Sequence, residues 1–202
     1  MNERVDFSPE QMGARTFYRL LTSVVVPRPI AWVSTVSAGG ADNLAPHSFF
    51  TVAGVDPPVV QFTSVGRKDS LTNVEATGEF VVCLAPEPLF EQVNGSGTDF
   101  PHGTSEFDAV GLTREPSLLV APPRVAESPV ALECRLVDTV SFGDSTVVFG
   151  RVLHAVVSSS ALHDGRPDIE LLRPLARLGA NQWSTIGQVR SIDRIRYTDW
   201  PG

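Results

Sequence analysis

Val130 to Phe142 and Thr146 to Val157 are two long β-prone runs, and Gly143-Asp144-Ser145 between them is a turn sequence. Apolar and β-branched residues on both sides of such a turn make a hairpin. That hairpin commits the chain to an antiparallel sheet. Ile30 to Val36 is a further strand, with Ser37-Ala38-Gly39-Gly40 as its turn. The return from Asn43 to Val52 is apolar and aromatic but contains Pro46. Proline has no N–H for a ladder, so this run belongs at an edge or a bulge, where nearby backbone groups stay free for a ligand. Asp56-Pro57-Pro58 turns the chain into Val59–Thr63, and Glu79 to Ala85 is one more strand. Six or more strands with few helices, several joined by tight turns, point to a mainly β, antiparallel barrel. Strands and helices do not alternate regularly enough for a doubly wound fold.

The helices are few. Ser8-Pro9-Glu10-Gln11 reads as a helix start, with Ser8 as cap and Pro9 at the first position. Met12, Phe17, Leu20 and Leu21 can share a face, which predicts about three turns ending near Thr22. Val24-Val25-Val26 then reads as extended, and Pro27-Arg28-Pro29 as an irregular entry. Pro86 to Val93 suits a short helix, and Asn94 to Ser105 a polar, Gly-rich loop. Phe107 to Leu119 is ambiguous before Pro122-Pro123, and Ile169 to Leu178 mixes apolar and basic residues around Pro174. The tail from Ser191 to Gly202 is expected to pack late or against a partner. No repeat or low-complexity linker divides the 202 residues, so one domain spanning 1–202 is expected.

A net charge of −7 argues against sequence-independent nucleic-acid binding. No apolar run approaches the roughly 20 residues of a membrane span. Met1 to Glu10 lacks an apolar signal core, so a cytoplasmic location is expected. Cys83 and Cys134 lie in apolar strand-like runs and read as buried thiols. His47, His102, His154 and His163 show no metal-ligand spacing, and no metal is expected.

One stretch carries chemistry. Ser64-Val65-Gly66-Arg67-Lys68-Asp69-Ser70-Leu71-Thr72-Asn73 follows a strand and leads into a helix that Gly78 can close. Arg67 and Lys68, the sole lysine, sit just before the helix start, and Asp69 or Ser70 can cap it. Free N–H groups, the helix dipole, two cations and a hydroxyl together make a phosphate cradle. A solvated helix cap with surface charges is the plain alternative. The stretch is not a nucleotide P-loop, and Gly95-Ser96-Gly97 lacks the strand and third glycine of a dinucleotide fingerprint.

An ordered set of segments resembles the flavin-reductase-like, FMN-binding split-barrel family. They are Arg28-Pro29-Ile30-Ala31-Trp32-Val33-Ser34-Thr35, Asn43-Leu44-Ala45-Pro46-His47-Ser48-Phe49-Phe50, Pro57-Pro58-Val59-Val60, Arg67 to Asn73, Thr77 to Val82, Glu127 to Cys134 and Pro174 to Gly179. The likeness runs from about residue 14 to 187. It implies a split β-barrel homodimer with one FMN per subunit near the interface. Carried over, Arg67, Lys68, Asp69 and Ser70 hold the FMN phosphate, with Ser64 opening the same stretch. Ser34 and Thr35 lie beside the ribityl chain or ring, and Ala45, Pro46, His47, Ser48 and Phe49 run along the isoalloxazine. Arg177 meets a phosphate from the partner chain or forms a surface salt bridge. Trp183 stacks on flavin or nicotinamide, or is a core or interface aromatic. His47 acts on a proton near the ring or is a hydrogen-bonded structural histidine. Cys83, Ala180 and Trp183 depart from the family's usual Asn, Gly and Tyr.

The activity implied is an NAD(P)H-dependent flavin reductase, with the nicotinamide nucleotide as transient co-substrate and a monooxygenase or another acceptor receiving the electrons. The flavin carries the redox chemistry, so no catalytic side chain is required. The alternative is a tight FMN-binding electron carrier, flavoredoxin-like, that does not oxidise NAD(P)H. A third reading is a binding module that has lost the flavin.

Overall fold

The computed structural model describes residues 3–101 and 103–200. His102, and the outermost residues 1–2 and 201–202 of the two terminal stretches, lie outside them. Seven strands form one antiparallel sheet: β1 (Ala31–Val36), β2 (Asp42–His47), β3 (Phe50–Gly54), β4 (Val59–Val65), β5 (Glu79–Leu84), β6 (Val130–Phe142) and β7 (Ser145–Val157). Their order across the sheet is β2-β1-β5-β6-β7-β4-β3. The long hairpin is β6–β7, and it is the middle of the sheet.

The consecutive strands β2 and β3 lie at opposite edges of that sheet, joined only by Ser48 and Phe49. An extended chain gains at most about 3.6 Å per residue. Two linking residues can join the edges only if the sheet curls until those edges meet. At the seam the Thr63 N–H donates to the Phe49 carbonyl at 2.9 Å. His47 Nδ1 donates to the Thr63 carbonyl at 3.3 Å, and its ring packs 4.7 Å from Phe62. The result is the mainly β split barrel that the sequence implies. The return from Asn43 to Val52 is not one strand, as expected, but two, broken at this crossing.

Both faces of β1 are buried, which is why its residues read as a nearly continuous apolar run. Ala31 and Val33 join Phe62, Phe80 and Val148 in one core cluster, while Trp32 joins Leu44, Val81 and Phe107 in the other. Cys83 and Cys134 are buried thiols, and burial pushes both up to about 12. At Gly150 a Cβ would lie 2.1 Å from the Phe80 ring. Glycine there leaves room for that ring against β7.

Helix α1 (Pro9–Met12) begins as expected, with Gln11 N–H donating to Ser8 Oγ at 3.3 Å. The expected three-turn helix is interrupted: Gly13 takes φ 75°, and α2 (Ala14–Val24) starts after it. Val24, expected to be extended, is helical. The two further helical residues hold because Arg28 closes the end, donating to the carbonyls of Thr22 and of Val25 (2.9 Å), and to Leu178 (2.7 Å). A cation is favourable at a helix C-terminus. Arg28–Pro29 pairs with Ala176–Arg177, which pairs with Trp183–Ser184, so the late segment folds back beside α2.

Helix α3 (Asp69–Thr77) ends at Gly78 in the left-handed conformation, as the sequence suggests. Helix α4 (Phe90–Gly95) takes the first residues of what the sequence reads as the 94–105 loop. The ambiguous Phe107–Leu119 stretch holds most of α5 (Glu106–Ala109) and a two-residue ladder, Arg114–Glu115 with Arg124–Val125. Its end is held by the buried Glu133 carboxylate, which accepts the N–H groups of Leu118 (2.9 Å) and Leu119 (2.7 Å). No helix of the described residues is long and apolar enough to cross a membrane.

Burial pushes His47 down to about 4, its bond to Thr63 opposing and the charge of Lys68 assisting. Unfolded, it would titrate near 6.5. The unfolded chain therefore takes up the proton first. Stability present above pH 6.5 is lost as pH falls towards 4, by up to roughly 3 kcal/mol. Urea unfolding of His47→Asn should show a flatter dependence on pH across this window than the parent protein. Equal slopes would mean that the seam histidine is not held neutral.

Candidate functional site

A cleft of about 570 Å³ opens at the seam. Small-molecule sites span roughly 300–1,000 Å³. One wall is edge strand β2 and its link to β3, through Asn43, Ala45, Pro46, His47, Ser48 and Phe49. A second wall is the end of β4 and the start of α3, from Thr63 through Gly66 to Ser70. A third is Ser96 to Phe100, and Tyr18 of α2 and Glu106 of α5 complete the lining.

The α3 start presents hydrogen-bond donors and two cations to the cleft. Gly66 takes φ 78° and donates its N–H to the Asp144 carbonyl at 2.8 Å, which turns the chain from β4 into the helix. The N-cap position is Lys68, and no side chain caps the helix. This corrects the expectation that Asp69 or Ser70 caps it. Ser70 lies inside the first turn, where its hydroxyl accepts from Asn43 Nδ2 at 3.0 Å. The first-turn N–H groups are left for a ligand, and the Ser70 proton is free to donate. Asp69 brings a carboxylate, so its contribution to an anion site is its backbone N–H.

Both cations already have partners. Arg67 meets Glu75 at 2.6 Å and Lys68 meets Asp99 at 2.9 Å, with the cationic side chains 66% and 56% exposed. Lys68 holds the Asp99 carboxyl below its usual range. Exposed pairs of this kind contribute little to stability, so a phosphate on the uncapped helix can displace them.

Behind the cradle is a buried polar network. Thr35 Oγ1 accepts from Asn43 (3.3 Å) and Asn73 (3.0 Å), tying β1 and β2 to α3. Glu106 accepts the outward N–H of Leu44 at 2.9 Å, and burial pushes its carboxyl up. Pro46, two residues on, needs no such partner. The proline thus sits on the open edge of β2, as its missing N–H requires.

The structure brings Ala45, Pro46, His47, Ser48, Phe49, Arg67, Lys68, Asp69 and Ser70 to the one cleft. Ser34, Thr35 and Ser64 are fully buried and do not line it. Thr35 supports Asn43 and Asn73, and Ser64 donates to the Gly66 carbonyl at 2.9 Å. His47 bonds Thr63 and packs on Phe62 at the seam, and among the described residues its Nε2 is buried without a partner. Trp32 is core, its indole N–H donating to Ser96 Oγ at 2.8 Å. Arg177 and Trp183 line an adjoining cavity of about 270 Å³ with Ile30, Asn94 and the shared Pro46, Ser48 and Gly97. Among the described residues, Arg177 does not form the surface salt bridge considered above. It lies 4.5 Å over the Trp183 ring and donates to the Ala180 carbonyl at 2.8 Å.

Sequence reasoning missed Tyr18 and Glu106, which reach the cleft from distant parts of the chain. Asn43 and Asn73 did carry a signal: an amide inside an apolar strand and one inside a short helix both need buried partners.

The donor set fits the phosphate of FMN: an uncapped helix start, a hydroxyl and two cations at one end of a cleft whose opposite wall is an open strand edge. The sequence model of the flavin reductase like domain matches residues 23–172. An uncharacterised protein of Halalkalibacterium halodurans is 38% identical over 199 residues, covering 93% of this chain and 95% of its own. Nitrilotriacetate monooxygenase component B of Bacillus cereus superposes with a TM-score of 0.89 at 28% identity, over 95% of this chain and all of that one. The 2-nitrobenzoate 2-nitroreductase of Pseudomonas fluorescens gives 0.89 at 28% identity, over 98% of this chain. The family match covers most of the strands and the whole α3 cradle, and on that evidence this chain belongs to the flavin reductase like domain family.

Proposed function

We propose that this protein is an FMN-dependent oxidoreductase that takes electrons from NAD(P)H and passes them to a second acceptor. The observation that carries the reading is the uncapped α3 start with Arg67 and Lys68 in the wall of the cleft. Arg67, Lys68, the Ser70 hydroxyl and the N–H groups of Asp69 and Ser70 would hold the phosphate. Ala45 to Phe49 would line the ring. When bound, FMN supplies hydride and electron chemistry itself. The protein's part is to bind and orient it, with His47 neutral at the seam and Glu106 bracing the strand edge. The likeness to nitrilotriacetate monooxygenase component B supports a monooxygenase component as one class of acceptor.

The reading also includes a homodimer. Helix α2 is strongly amphipathic, yet none of its residues is buried, and Tyr18, Leu21 and Val24 to Val26 are exposed. A contiguous apolar face of this kind marks an interface, and Tyr18 reaches from it into the cleft. Sedimentation at micromolar concentration should give twice the chain mass, and a monomer that holds FMN tightly would count against it.

Flavin titrations test the cofactor. FMN should bind at least about tenfold more tightly than riboflavin, because each charge-assisted phosphate bond contributes roughly 1.5–3 kcal/mol. Lys68→Ala should weaken FMN by about tenfold or more and leave riboflavin unchanged. Equal affinity for the two flavins would reject the cradle, and an FAD preference would change the cofactor.

Anaerobic stopped-flow mixing of FMN-loaded protein with NADH, and separately NADPH, tests the reaction. Bleaching of the flavin absorbance by one of them is the expected result. Failure of both, with normal reduction by dithionite, would favour an electron carrier fed by a protein partner.

A further inference from the structure

The cavity beside the cleft carries charge that the protein does not neutralise. Arg28 and Arg177 are direct cross-strand partners, and like charges placed opposite each other repel. Among the described residues, neither has a carboxylate within ion-pair distance. Arg28 is committed to the carbonyls that close α2. Among the described residues, Arg177 donates only to the Ala180 carbonyl, so most of its donors are unused there. Burial first, and Arg28 second, push its pKa down. A partly buried cation without a counter-charge is destabilising. Trp183 nonetheless fixes the guanidinium from one side, and Phe90 packs edge-on to Trp183 at 5.2 Å.

We propose that this side cavity is the subsite for an oxyanion group of the second substrate, anchored by Arg177 on its Trp183 platform. The assignment rests on the adjoining cleft being the flavin site. Pro46, Ser48 and Gly97 line both spaces, so a group held at Arg177 is tethered next to the cleft. At about 270 Å³ the cavity is below the size of whole-ligand sites, and it takes one end of a substrate. Gly97 keeps the junction open, since a Cβ there would press on Pro46 at 3.3 Å. An arginine fork matches the two oxygens of a carboxylate or phosphate. The oxyanion is either a phosphate of the nicotinamide nucleotide or the carboxylate of an aromatic electron acceptor.

The test is titration of FMN-loaded protein with pyrophosphate and, separately, benzoate, read by flavin absorbance and protein fluorescence. Parent, Arg177→Gln and Arg177→Lys are compared. At least one anion should bind the parent and bind Arg177→Gln about tenfold or more weakly, with partial recovery in Arg177→Lys. FMN affinity should stay within about threefold, because Arg177 lines the other cavity. A preference for pyrophosphate assigns the nucleotide phosphate, and one for benzoate the aromatic acceptor. No binding of either anion overturns the proposal, as does equal binding to parent and Arg177→Gln. Loss of FMN affinity in step with the anion also overturns it, by giving Arg177 to the flavin phosphate. Should Arg177→Gln fail to fold, Arg177→Lys decides: unchanged affinity for the bound anion rejects the fork. The readout needs no turnover, so a protein that NAD(P)H cannot reduce would lose the reductase reading while this one was still tested.

Discussion

Two residues, Ser48 and Phe49, join strands at opposite edges of a seven-stranded sheet. That short link is the constraint on which the rest of the structure depends. It makes the sheet curl, brings β2 against β4, and sets an open strand edge opposite the start of α3. The bonds that hold the seam are few, so a buried neutral histidine matters there: His47 bridges to Thr63 and packs on Phe62 without bringing a charge inside.

The cleft follows from that closure. An edge strand has unpaired backbone groups, and a helix start has unpaired N–H groups. The seam brings one of each to the same opening. Glu106 accepts the buried Leu44 N–H and Ser70 the Asn43 amide, while α3 is left uncapped. The cations are then placed where their internal partners are weak. Beside this, Arg28 and Arg177 face each other across a ladder and, among the described residues, have no carboxylate within ion-pair distance. In the proposed reading an anion would relieve both features.

Much of this was legible in the chain. The β6–β7 hairpin, the turn at Gly78, the edge position of Pro46 and the buried cysteines all follow from local chemistry: β-branched runs, a left-handed glycine, a missing N–H, apolar neighbours. The Arg67-Lys68 stretch likewise marked the end of the cleft where the two cations lie. The interruption at Gly13 was less clear, because the apolar spacing continues through it. Phe107 to Leu119 could not be assigned, because it is held by Glu133 from another strand.

The sequence by itself determined most of the strands, the approximate start of α3 and the sign of the charge beside it, since each depends on neighbours a few residues apart. Only the tertiary structure decided which of these face a ligand. Ser34, Thr35 and Ser64 turned inward as supports, while Tyr18, Glu106 and Asp99 came to the cleft from far along the chain. Arg177 was parted from Arg67 and Lys68 and set in its own cavity. The side-chain period of a strand says that alternate residues share a face. The curl of the sheet and the segments packed on it choose which face meets the ligand.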